Sequence, residues 1–117
     1  MIKKIISKKL VQGAIFLLPV LFFSACDNTK PLSALETQGK TVFMSNCIAC
    51  HNQDPQLSGS IGPDIAGSSL ELITARIMHQ SYPEGYRPKR SSKLMPALPF
   101  LEKDMPAIHA YLNSFKK

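Results

Sequence analysis

The chain has no tryptophan, and only three of its 117 residues are cysteine. The first absence rules out an indole N–H as an anchor for anything the chain binds. The second rules out a disulfide framework and a four-thiolate zinc site, because one close pair, Cys47 and Cys50, leaves only Cys26 elsewhere. No stretch alternates apolar and polar residues as a half-buried strand does, and no internal repeat or low-complexity segment is present. Residues 1–25 hold no acid at all, yet they carry four of the fourteen basic residues: Lys3, Lys4, Lys8 and Lys9. From Cys26 onward ten basic side chains face eight acidic ones. The formal +6 of the whole chain thus shrinks to +2, and nucleic-acid binding does not follow from it.

The long apolar run is also short of what a relaxed membrane span needs. It covers residues 10–23 and is interrupted by Gly13 and Pro19. A basic start, a short apolar run and small residues at its end make a secretory signal over 1–25; an uncleaved membrane anchor is the alternative. Phe23-Ser24-Ala25-Cys26 resembles the bacterial lipoprotein cleavage box, departing from it at Phe23, where a leucine is usual. The resemblance implies that Cys26 is lipidated and becomes the new N-terminus. It would account for an otherwise odd free thiol in an exported protein, with ordinary export as the alternative. Asp27 resembles the inner-membrane retention signal of some Gram-negative lipoproteins. Residues 26–32 read as a tether of roughly 20 Å at full stretch, which would keep the folded part, 33–117, near the periplasmic side of the cytoplasmic membrane.

Cys47-Ile48-Ala49-Cys50-His51 carries the chemistry. C-x-x-C-H is the pattern by which a c-type haem is attached. Each of two thiols three positions apart can form a thioether to one haem vinyl group, and the next residue brings an imidazole under the iron. A zinc half-site would need a second ligand pair. A thioredoxin-like redox pair would need a βαβ pattern, and none is visible.

The pattern of residues 33–117 predicts an all-α domain of three main helices. About 85 residues make a marginal core, which a covalently held haem would enlarge. The first helix opens at Ser33, with Glu36 three residues on as a capping box, and runs to about Asn46. The second opens at Ser68, with Glu71 three residues on, and runs to about Gln80 with Leu70, Ile73 and Ile77 as its apolar stripe. The third starts near Asp104 and ends near Phe115, with Ile108, Tyr111, Leu112 and Phe115 in helical spacing and Pro106 tolerated in its first turn. Residues 52–67 and 81–100, rich in Pro, Gly and Ser, read as loops.

This order of features resembles the single-haem class I cytochrome c family over most of residues 33–115. The resemblance rests on Gly39-Lys40-Thr41-Val42-Phe43 before the haem motif, Ile61-Gly62-Pro63-Asp64-Ile65-Ala66-Gly67 after it, Lys93-Leu94-Met95-Pro96-Ala97, and Ile108-His109-Ala110-Tyr111-Leu112. It implies one haem c, held by Cys47 and Cys50 and ligated by His51. It also implies that the first and last helices cross with Gly39 against Tyr111 or its neighbours, that Met95 is the second axial ligand, and that the Pro63 carbonyl accepts from the outer nitrogen of His51. Met78, His79, Met105 and His109 also follow His51, and ligation by His79 or His109 would give a bis-His centre. A Trp or Tyr often bonds a haem propionate in the family. With no tryptophan here, Tyr82, Tyr86 and Arg87 are the candidates.

The implied function is one-electron transfer rather than catalysis, since iron ligated on both faces has no open position for substrate. A subunit of a larger oxidoreductase, or a gas- or peroxide-binding protein with an open site, are the alternatives. Arg87, Lys89, Arg90 and Lys93 fall within seven residues with no acid among them. They could ring a haem edge and steer an acidic, membrane-bound redox partner, or form a solvated loop with no such role.

Overall fold

The computed structural model describes residues 30–116. The signal segment and Cys26 therefore lie outside the described residues. Three α-helices, α1 (Ala34–Asn46), α2 (Leu70–His79) and α3 (Met105–Asn113), are joined by long loops, with a 3-10 helix over Pro99–Asp104 leading into α3. Among the described residues there is no strand, and no helix is long and apolar enough to cross a membrane.

The capping box at the start of α1 forms as the sequence predicts. The Glu36 amide donates to Ser33 Oγ, and the Glu36 carboxylate accepts from the Ser33 amide at 2.6 Å. The Ser33 amide, seconded by the Ser33 hydroxyl, holds the Glu36 carboxyl below its ordinary range. At α2 the cap shifts by one residue. Ser69, not Ser68, accepts from the Leu72 amide, while the Ser68 hydroxyl donates back to the Ile65 carbonyl. Helix α3 begins at Met105 without a side-chain cap, because the 3-10 helix feeds directly into it.

α1 packs against α3, and Gly39 sets their separation. A Cβ at Gly39 would overlap the Ala107 carbonyl and lie 2.8 Å from the Tyr111 Cβ, so only hydrogen permits the approach. One turn further along α1, fully buried Phe43 meets the Tyr111 ring at a centroid distance of 5.5 Å. Tyr111 in turn meets Phe115 edge-on at 5.3 Å. Ile73 and Ile77 of α2, Ile108 and Leu112 of α3, and Leu101 of the 3-10 helix complete this core. Leu70 does not join it and is 45 % exposed. Burial against this core holds the Tyr111 hydroxyl above its ordinary pKa.

Candidate haem site

One cavity of about 260 Å³ opens on the core. Its floor is Phe43 of α1, Ile73 and Ile77 of α2, and Ile108 and Leu112 of α3. The Cys47–His51 turn forms one wall and the loop that carries Met95 forms another.

The turn follows directly from the end of α1. The Cys47 amide closes the helix on the Phe43 carbonyl. The amides of Cys50 and His51 then both donate to the Cys47 carbonyl, at 3.2 and 2.9 Å, making a compact turn that brings both thiols and the imidazole to one side. The loop that follows folds back on this turn. The amides of Ile61 and Gly62 both donate to the Cys50 carbonyl. A Cβ at Gly62 would lie 2.5 Å from two atoms of the His51 ring, and one at Gly59 would lie 2.7 Å from the His51 Cα. Glycine at these places lets backbone close on the buried imidazole at Gly62 and on the Cys50–His51 backbone at Gly59. His51 Nδ1 lies 2.9 Å from the Pro63 carbonyl oxygen. A carbonyl only accepts, so Nδ1 carries the proton of that bond and Nε2 is the ring nitrogen available to ligate. Pro63 thus lies where the resemblance puts it.

Burial, seconded by the neighbouring Cys50, pushes the Cys47 thiol up to about 11. A thiol held neutral by apolar surroundings makes a poor redox nucleophile. A thioether carries no proton and loses nothing by the same burial. Among the described residues no three His, Cys, Asp or Glu side chains converge as a metal cluster.

Of the five residues weighed as a second ligand, Met95 is the one that lines the cavity. Met78 packs half-buried against the core and His79 is exposed at the end of α2. Met105 is buried at the start of α3, and His109 sits half-buried on that helix. The backbone around Met95 is held from α2: Gln80 Nε2 donates to the Met95 carbonyl at 2.9 Å, and the Leu98 amide donates to the Ile77 carbonyl at 2.7 Å. Gln80 itself takes a left-handed conformation, φ 52°, to end the helix.

The polar side of the cavity departs in detail from the sequence reading. Tyr82 and Tyr86 line it as stacked rings 5.4 Å apart, whereas Arg87 does not line it. Arg76 lines it instead, its guanidinium 4.3 Å from the centre of the Tyr82 ring. The signal was present in the sequence, since Leu72, Ile73, Arg76 and Ile77 share one face of α2, but a cation on an apolar stripe reads first as a surface residue. Within the basic run, Arg87 and Lys93 are exposed. Lys89 pairs with Asp64, and Arg90 donates to the carbonyls of residues 59–61.

A cavity with an apolar floor, a cation and two phenols on one side, and paired thiols beside an imidazole suits a flat prosthetic group with an apolar body and a charged edge. The chain is therefore a small all-α protein built around such a group. The family model for cytochrome c matches residues 36–116, and the chain belongs to that family. Haem-based electron transfer and covalent binding of haem c come with that membership. No curated protein matches the chain.

Proposed function

We propose that the protein is a membrane-tethered, one-electron carrier of a respiratory chain on the periplasmic side of the cytoplasmic membrane. Cys47 and Cys50 hold one haem c, and His51 and Met95 are its axial ligands. The observation that carries this reading is that His51 and Met95 line the same cavity while Met78, His79, Met105 and His109 do not.

When bound, the haem supplies a single iron centre that gains and loses one electron. The chain's own residues set its surroundings. Pro63 holds the His51 proton on Nδ1, which makes Nε2 the ligating nitrogen and strengthens it as a base. Met95 would supply the second ligand, which would leave no position for substrate and favour a raised reduction potential. The floor of Phe43, Ile73, Ile77, Ile108 and Leu112 keeps water out and limits the cost of reorganisation when charge changes. Export by residues 1–25 and lipidation of Cys26 would place the domain at the membrane, where exposed Arg87 and Lys93, with half-exposed Lys89, favour an acidic partner.

The test is spectroscopic. Reduced holoprotein should show a c-type haem spectrum that survives denaturation, and the ferric form should show the near-infrared Met–iron band. Loss of that band in Met95→Ala supports the reading. Covalent haem retained in full by a Cys47→Ser, Cys50→Ser double variant, or a band that persists in Met95→Ala, would sink it. Mass spectrometry of the mature N-terminus tests the anchor.

A further inference from the structure

The carbonyls of residues 59–64 form a continuous series of acceptors, and every one is used. Gly59, Ser60 and Ile61 accept from the Arg90 guanidinium at 3.1, 3.4 and 3.0 Å. Gly62 accepts from the Gly59 amide, and Pro63 accepts from His51. Asp64 accepts from Lys89 Nζ at 3.0 Å on its carbonyl, and again on its carboxylate. The amides of 61 and 62 meanwhile point the other way, to the Cys50 carbonyl. This is the loop that presses Gly62 on the His51 ring.

Arg90 and Lys89 belong to the other loop, the one that delivers Met95. That loop is tied to α2 at Gln80 and Leu98. Among the described residues, the hydrogen bonds that join it to the 59–64 loop all come from Lys89 and Arg90. The ties to α2 set where Met95 sits over that helix. The two cations set how closely its loop approaches the loop behind His51. Met95 follows Arg90 by five positions, a reach of at most about 18 Å, so holding residue 90 restrains residue 95.

We propose that Arg90, assisted by Lys89, is a positioning residue: it clamps the Met95 loop to the His51 loop and so keeps the second axial position of the iron closed. This rests on the reading of Met95 as a ligand. The two arms differ in kind. Arg90 donates to neutral carbonyls, one of them in a part-buried bond, and salt screens such bonds little. Lys89 and Asp64 form a half-exposed pair, with side-chain exposures of 47 % and 43 %, and salt weakens it. The clamp also gives Arg90 an internal task in place of partner docking.

The experiment uses full-length holoprotein and carbon monoxide as the probe of an open ferrous iron. Arg90→Ala, which removes all three bonds, should bind carbon monoxide at least roughly tenfold faster than the wild type, since one charge-assisted hydrogen bond alone is worth about that much. It should also lose part of the ferric near-infrared Met–iron band. Arg90→Lys should fall between the two, and Glu84→Gln, an exposed change in the same loop, should match the wild type. Arg90→Ala with an intact band and wild-type carbon monoxide binding overturns the clamp while leaving the ligand reading in place. A wild-type spectrum with no Met95-dependent band overturns both. If Arg90→Ala yields no holoprotein, Lys89→Ala and Asp64→Asn decide the matter: a rise of about twofold at low salt that disappears at high salt supports the clamp, and no rise in either variant overturns it.

Discussion

The two loops that flank the cavity solve the same problem in opposite ways. The loop after His51 is held from within: its amides bond the Cys50 carbonyl, its Pro63 carbonyl bonds the imidazole, and two glycines let it lie flat on the histidine. The loop around Met95 has no such internal frame. It is held by outside groups, the Gln80 side chain, the Ile77 carbonyl, and the bonds that Lys89 and Arg90 make to the other loop. A side built from local, contiguous contacts resists single substitutions except where the packing is closest. A side suspended from distant contacts can be loosened at several places without loss of the fold.

Gly62→Ala attacks the first side at its closest contact and should have the largest effect on stability. The new methyl would sit 2.5 Å from the imidazole, which the Pro63 carbonyl already holds, and neither neighbour can move far. Overpacking of this kind costs about 3 kcal/mol, and for a domain of this size the thermal midpoint should fall by roughly 10–20 °C. A midpoint within a few degrees of the wild type would show that the His51 side is more compliant than its bonds indicate.

Met95→Ala makes the complementary attack. Met95 is half-buried at the cavity rim, so truncation should cost less than Gly62→Ala, about 1–2 kcal/mol in the haem-free chain. Its effect on the holoprotein should be electronic: the Met–iron band disappears and the reduction potential falls, while covalent haem remains. If Met95→Ala unfolds the protein as severely as Gly62→Ala, the contrast between the two sides is wrong.

The same contrast explains what the sequence made legible. Cys47, Cys50 and His51 lie within one turn, and the capping box of Ser33 and Glu36 spans four residues, so local chemistry specifies each. Gly39 was legible because a glycine inside a helix needs a reason, and the Ala107 carbonyl supplies it. Tertiary contacts decided the remainder. Ser68 and Ser69 are equally able caps by composition; Ser69 caps because the turn before α2, tied by the Gly67 amide to the Leu112 carbonyl, turns Ser68 back to Ile65. The 3-10 helix over Pro99–Asp104 carries no periodic pattern and fell partly in a segment read as loop. Arg90 reads as one cation of a basic run. Only the fold reveals that three carbonyls some thirty residues earlier meet its guanidinium.

Gln80→Gly sharpens the comparison with an effect near zero on stability. Glycine would relieve the left-handed backbone at φ 52°, a gain of about 1 kcal/mol. It would also remove the side-chain bond to the Met95 carbonyl, a loss of about the same size. The midpoint should therefore hardly change, while hydrogen exchange or carbon monoxide binding reports a looser Met95 loop. A clear gain in stability with no loosening would mean that Gln80 contributes nothing to holding Met95.

The smallest effect belongs to the bond between the two loops at Lys89 and Asp64. The Lys89 hydrogen bond holds the Asp64 carboxyl below its ordinary 3.8. A carboxyl whose pKa is lower in the folded state adds stability that is present above the unfolded value and lost as the pH falls through the folded one. The contribution should therefore persist at neutral pH and decline progressively as the pH falls below about 4. Both side chains are nearly half exposed, so solvent screening keeps the effect under about 1 kcal/mol. The difference between the denaturant midpoints of wild type and Asp64→Asn in low salt should be larger at neutral pH than near pH 3. Midpoints that run parallel across that range would show that the pair does not bind the loops together, which counts against the clamp.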